Sequence, residues 1–408
     1  MDEKEMQYRI LAKEVKIIND TWVSRINNND LIVGASGCGK TTGYVIPNIE
    51  QCNESMIVAD TKGMLHRKLG NKLKKKGYKV YVLDFIHPEK SCAYNPLDYI
   101  DGNRKTGRYR EQDIITISQA MLPTRNLRDT FWEDSARMVL SSLIAFAMEA
   151  LPKEEQNMTS VAELFKLIGS KEGRRIFEEF EAESPDSFAV KKYKSYCNVF
   201  SADKTWGCIS QFLSDALELY DFQEIKCMYE AKSRFHIKDL GRKKIVLFVN
   251  VSDTDRAFDR LINVFYTQAI QQLCKEADKN PDGRLKVPVR IILDDFATNV
   301  YIPDFDKIIS VIRSREISVS LILQSLSQLE TMYTPAQAKT IINGCDHLLY
   351  LGGQDVQTAD YISIKANQPI DKILNMGLSD AYLFTRGEMP KRVEKINPFG
   401  KETDYERQ

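Results

Sequence analysis

One nonapeptide concentrates the residue types that can do chemistry. Gly34-Ala35-Ser36-Gly37-Cys38-Gly39-Lys40-Thr41-Thr42 has the G-x-x-x-x-G-K-T pattern, and the apolar run Leu31–Val33 precedes it. The glycines let the backbone curl until successive N–H groups face inward, an anion nest at a helix N-terminus. Lys40 is long enough to reach β- and γ-phosphates, and the Thr41 hydroxyl suits Mg²⁺. Residues Gly34 to Thr42 are therefore the candidate nucleotide-binding residues, with ATP and Mg²⁺ as the expected cofactors. Cys38 reads as a nest residue rather than a reactive thiol. The competing reading is a glycine-rich turn without a ligand, and the strand–loop–helix context weighs against it.

A phosphate nest of this kind needs a carboxylate for the metal, at the carboxyl end of a neighbouring strand. Val289-Arg-Ile-Ile-Leu-Asp294-Asp295 supplies four apolar residues in five and then two acids. Asp294 is the metal candidate, and Asp295 is placed to polarise an attacking water. A strand-end turn or helix cap is the alternative for both. Asp60 ends another strand, before Thr61-Lys62-Gly63, and is either a supporting acid or a turn residue. Downstream, Ile317–Leu323 ends in Gln324, where an amide can sense a γ-phosphate or orient water. Arg313 and Arg315 precede that strand; an arginine here either reaches a phosphate in a neighbouring subunit or makes a solvated ion pair. Lys72, Lys74, Lys75, Lys76 and Lys79 form a basic run that reads as a solvated helix face rather than a nucleic-acid contact.

Positioning these residues requires a sheet. Apolar runs occur at Leu31–Val33, Met56–Ala59, Val80–Leu83, Ile245–Val251, Val289–Leu293, Ile317–Leu323, His347–Leu351 and Ala381–Phe384. They lack clean alternation, as strands covered on both faces do, and helical patterns between them imply parallel β-α-β units. Residues 105–225 differ. Thr130-Phe-Trp-Glu133 and Ser160-Val-Ala-Glu163 each read as a capping box opening an amphipathic helix. The expectation is an α/β fold with a mostly parallel sheet, its nucleotide domain in two parts (1–104 and 226–408), interrupted by an all-α insertion at 105–225. Lys40 and Asp294 lie 254 positions apart, which independently calls for such an insertion. Asp101–Asp113 and Asp278–Pro288 read as exposed connections.

The 408 residues are 43% hydrophobic and 28% charged, which excludes a wholly disordered, collagen-like or disulfide-miniprotein chain. Lys+Arg and Asp+Glu are both 57, so net charge is zero, which argues against a generic basic nucleic-acid coat. The eight cysteines form no C-x-x-C pair and no cluster with the four histidines, as expected of a reduced cytosolic protein without structural zinc. The start, Met1 to Val15, is charged and lacks a signal-peptide core. No apolar stretch approaches the roughly 20 residues a membrane helix needs.

Together these segments resemble the type IV secretion coupling proteins, the TraG/TraD family of conjugative ATPases. The resemblance rests on the phosphate loop with Gly43-Tyr-Val-Ile-Pro47-Asn48, and on Asp60-Thr-Lys-Gly63, Tyr94-Asn-Pro-Leu97 and Phe131-Trp132-Glu133. It continues through Leu293-Asp-Asp-Phe-Ala297, Ile302-Pro-Asp-Phe305, Arg313-Ser-Arg315, Gln324-Ser-Leu-Ser-Gln328-Leu329 and Leu351-Gly-Gly353. It implies a RecA/FtsK-like P-loop motor domain with an inserted all-α domain. It also implies a homo-hexameric ring that uses ATP to deliver DNA, with a relaxase or other secretion substrate, to membrane-embedded secretion components. Carried over by motif, Lys40 and Thr41 bind nucleotide and Mg²⁺, Asp294 is the metal-side acid, Arg313 the arginine finger and Gln324 the sensor. Many members have Glu at the positions of Asp295 and Met64, and most begin with membrane helices. The expected location is the cytoplasm, with recruitment to the inner face of the membrane by a partner.

Three functions compete on this sequence. The first is a DNA-translocating coupling ATPase. The second is a non-catalytic, nucleotide-gated receptor or scaffold for secretion substrates, which Asp295 and Met64 favour. The third, a small-molecule kinase, gives no reason for Arg313 and Gln324.

Overall fold

Runs of Val, Ile and Leu bounded by turn residues become strands buried on both faces. In the computed structural model, residues 7–51, 53–102, 108–124, 130–198, 202–296 and 300–396 are described. Cys52, Ala297 and much of the connection Asp101–Asp113 lie outside them. The strands are β1 (Tyr8–Ala12), β2 (Val15–Ile18), β3 (Asp30–Val33), β4 (Ser55–Thr61), β5 (Lys79–Asp84) and β6 (Ile245–Val251). They continue with β7 (Val289–Leu293), β8 (Ile317–Leu323), β9 (His347–Tyr350), β10 (Asp380–Thr385) and β11 (Lys391–Glu394). All eight apolar runs of the sequence fall in the main sheet.

The main sheet runs β11-β10-β9-β3-β8-β7-β4-β6-β5. It is parallel from β9 to β5 and antiparallel across β9–β10–β11. Strands β3, β4, β6, β7, β8 and β9 are almost wholly buried, which explains why their sequences do not alternate. Three strands were not legible as apolar runs. β1 and β2 form a separate antiparallel hairpin, and β11 carries a single apolar residue, Val393.

Contacts divide the chain into two compact units. The first holds both sheets and comprises residues 1–86, 236–254 and 273–408; the second comprises 87–235 and 255–272. The stretch 105–225 lies inside the second unit, which is built from helices. Its central helix, Phe131–Ala150, is buried along most of its length. Phe146, Phe177 and Tyr193 pack beside one another, the last two stacked at 4.3 Å.

Neither expected capping box forms. Thr130 already has near-helical backbone angles and makes no cap hydrogen bond. Ser160 lies inside the helix Met158–Ile168, because Asn157 is extended and takes the cap by accepting from the Ser160 N–H at 3.1 Å. A capping box does form elsewhere, at Thr334 and Gln337. Among the described residues, no helix is long and apolar enough to cross a membrane.

Candidate nucleotide site

The phosphate loop leaves the carboxyl end of β3. Gly34 donates its N–H to the Leu323 carbonyl at 3.1 Å, and Ala35 donates to Gly352 at 2.9 Å, so the loop is fastened to β8 and to the turn after β9. Gly37 (φ 76°) and Gly39 (φ 92°) have left-handed backbones that side chains rarely tolerate. At Gly34 a Cβ would lie 2.5 Å from Cys38 Sγ. Cys38 thus packs inside its own loop, and burial pushes its thiol pKa up.

The helix after the loop starts irregularly. Ile46 donates to the Thr41 carbonyl five residues back, a π-type turn, and Pro47 has no N–H with which to continue it. The turn carries Thr41 at its start and Tyr44 inside. Lys40 is buried, and its ammonium donates to the Gly34 and Ala35 carbonyls at 2.7 and 2.9 Å.

Strand β8 lies between β3 and β7, in register Val33–Leu323 and Leu293–Leu321. Three adjacent parallel strands therefore end together, delivering Gly34, Gln324 and Asp294 to one edge. The Thr41 hydroxyl donates to Asp294 Oδ2 at 2.8 Å. Burial, with the neighbouring Asp295 charge adding to it, raises the Asp294 carboxyl to about 6, while the Thr41 hydrogen bond opposes the rise. Asp295 sits in a left-handed turn (φ 52°), and Gln324 is exposed just beyond β8.

This donor set suits a hydrated divalent cation. A hydroxyl and a carboxylate stand side by side, and the carboxylate is held at an unfavourable pKa that a cation would relieve. Among the described residues, the Thr42 hydroxyl in the same loop is buried without a hydrogen-bond partner. A Cβ at Gly37 would meet no atom within 4 Å, so the loop is open on that side.

Other candidates fall elsewhere. Asp60 accepts from Leu65 N at 2.9 Å and His66 N at 2.7 Å, so its carboxylate fastens the start of helix Met64–Lys75 and is a turn residue. Met64 is exposed on that first turn. Of the basic run, Lys72 pairs with Glu50 at 3.2 Å and Lys76 donates to the Glu50 carbonyl. Arg313 and Arg315 form a short turn at the opposite end of β8 from Gln324. The length of the strand places them roughly 20 Å from their own phosphate loop. Arg315 is bound to Asp278 at 2.8 Å. Among the described residues Arg313 has no ion-pair partner, and it lines an open cavity of about 640 Å³ with Asp20, Trp22, Arg284 and Glu316.

Sequence reasoning missed the polar network beneath the loop. Asp30, buried on β3, accepts from Arg9 Nε at 2.8 Å, Tyr44 OH at 2.6 Å and Arg290 Nη1 at 3.3 Å. Arg290 also holds Glu54, and Ser320 on β8 meets Tyr44 at 2.7 Å. One carboxylate thus ties β1, β3, β7 and the loop helix together. The signal was available: Asp30 and Arg290 are charges inside strands that otherwise read as buried.

A model of the type IV secretory system conjugative DNA transfer family matches residues 3–366. VirD4 of Agrobacterium fabrum is 22% identical over 359 residues, 87% of this chain and 52% of that protein. The conjugal transfer protein TraG of Rhizobium radiobacter is 22% identical over 375 residues, 83% of this chain and 52% of TraG. The chain spans about half the length of these curated relatives. The plasmid coupling protein TrwB, solved in complex with ADP and Mg²⁺, matches in fold with a TM-score of 0.68 at 17% identity, over 90% of this chain and 84% of TrwB. VirB4 of Thermoanaerobacter pseudethanolicus matches with a TM-score of 0.57 at 14% identity, over the whole of both chains. The fold is the expected RecA/FtsK-like P-loop fold, and the chain belongs to the type IV secretory system conjugative DNA transfer family.

Proposed function

We propose that this chain is an ATP-hydrolysing coupling protein that moves DNA or nucleoprotein into a type IV secretion channel. The observation that carries the reading is the Thr41–Asp294 contact at the end of three adjacent parallel strands. TrwB, which shares the fold, has been solved with ADP and Mg²⁺ and with a non-hydrolysable ATP analogue. In this reading Gly34 to Thr42 wrap the phosphates, and Lys40 exchanges its carbonyl partners for phosphate oxygens. Thr41 and Asp294 hold the hydration shell of Mg²⁺, which neutralises phosphate charge when bound. Asp295 takes the proton of the attacking water, and Gln324 orients that water against the γ-phosphate. Arg313 acts on the nucleotide of the next subunit in a homo-hexameric ring, at the cytoplasmic face of the membrane.

Zero net charge means that DNA binding depends on a ring that gathers basic residues in its channel. ATP turnover is measured with and without single- and double-stranded DNA, beside oligomer mass. DNA-stimulated turnover, lost in Lys40→Ala, is expected, and DNA affinity falls steeply with salt. Nucleotide binding without any turnover would favour the nucleotide-gated scaffold instead.

A further inference from the structure

Strand β11 reads Lys391-Arg-Val-Glu394, and its side chains alternate between two faces. Arg392 and Glu394 point outward, to Asp380 and to Lys13. Val393 points inward and packs on the core that includes Tyr44, Val45 and Leu351. Lys395 continues the inward face, held by its N–H on the Ser379 carbonyl at 2.8 Å. A position where the pattern calls for an apolar residue therefore carries a lysine that is only 5% exposed.

This segment rests on the phosphate loop. A Cβ at Gly43 would lie 2.6 Å from the Ile396 carbonyl oxygen, so only glycine permits the approach. Lys395 and Ile396 line a narrow crevice with Gly39, Gly43, Tyr44 and Leu351. Among the described residues the Lys395 ammonium makes no ion pair and no side-chain hydrogen bond. Asp380, the carboxylate whose field reaches it, is already bound to Arg392. Burial lowers the Lys395 pKa, and the Cys38 thiol of the loop lies within range of its charge.

A lysine whose stem is largely buried, with no acceptor for its ammonium among the described residues, gains from a nearby anion. The adjacent anion site is the nest formed by Gly34 to Thr41. We propose that Lys395 is a second cation of the phosphate loop, strengthening the binding of nucleotide phosphates from beneath the loop. It acts through the loop without replacing Lys40. The inference rests on the nucleotide reading above.

The test compares Lys395→Met, which keeps the stem and removes the charge, with Lys395→Arg, which keeps the charge. Affinities for ADP and ATP with Mg²⁺ are measured by calorimetry, and ligand-free melting temperatures are recorded. The Met variant should bind ATP about tenfold more weakly, and ADP somewhat less so, as expected for loss of a unit charge near several phosphate charges. Its ligand-free melting temperature should equal or exceed the parent's, because an apolar side chain suits the crevice. The Arg variant should bind within roughly threefold of the parent. Opposite signs for stability and affinity are something a merely structural lysine would not produce. If Lys395→Met melts well below the parent, Lys395→Gln serves as the uncharged variant. Parent-like affinity in any folded uncharged variant overturns this inference alone. Failure of the parent to bind either nucleotide overturns the nucleotide reading and this inference with it.

Discussion

Thr41 and Asp294 are 253 positions apart in sequence, yet the hydroxyl of one donates to the carboxylate of the other at 2.8 Å. The contact joins the first turn after the phosphate loop to the end of β7, two strands away from β3. Asp294 remains buried and is raised to about 6, chiefly by that burial.

Asp294→Asn tests the metal assignment and has a signed pH dependence. The folded, metal-free chain holds the Asp294 proton more tightly than the unfolded chain does. Its stability therefore falls as pH rises from the ordinary 3.8 to about 6 and is level above. The Asn variant lacks this penalty, so without metal it should be more stable than the parent at pH 7, by up to about 3 kcal/mol. The difference should shrink as pH falls through 6 and vanish below 4. Mg²⁺ should raise the melting temperature of nucleotide-bound parent but not of the variant. Thermal denaturation across pH 4–8, with and without Mg²⁺ and ADP, checks each sign. A variant that keeps the Mg²⁺ response would remove Asp294 from the metal site.

Asp295 occupies a left-handed backbone, which Asn tolerates better than most residues. Asp295→Asn should therefore fold normally and bind Mg-ATP with parent affinity. Turnover should drop roughly 10²–10⁴-fold, because the amide no longer accepts a proton from water. Steady-state hydrolysis beside binding calorimetry separates the two effects. Hydrolysis at the parent rate would show that Asp295 is not the base.

Arg313 and Arg315 are two residues apart but differently committed. Arg315 is held by Asp278, whereas Arg313 lines an open cavity at the end of β8 away from its own phosphate loop. Arg313→Ala should bind nucleotide and assemble like the parent, while its turnover falls by about 10²-fold, less than the best-studied fingers provide. Mixing inactive Lys40→Ala with inactive Arg313→Ala should restore part of the activity, since some interfaces then pair an intact loop with an intact arginine. Mixed oligomers without recovered activity would mean either that Arg313 acts within its own subunit or that hydrolysis needs an intact ring. A fully active Arg313→Ala protein would exclude it from hydrolysis.

The sequence by itself determined strands β3 to β10, the phosphate loop and the two acids after β7. Their signals are local: glycines that permit left-handed backbone, a lysine and threonine at fixed offsets, and apolar runs long enough for a doubly covered strand. The helix start at Thr130 was legible although its capping box does not form, whereas at Ser160 the start was misplaced because Asn157 takes the cap. The turn role of Asp60 became visible only when its two oxygens met two backbone N–H groups. Tertiary structure alone decided that β8 separates β3 from β7, and that Asp30 gathers Arg9, Tyr44 and Arg290. It also turned Lys395 inward beneath the loop. Charges inside strands announce that they need partners, but partners from strands hundreds of residues apart meet only through sheet order, which local sequence does not encode.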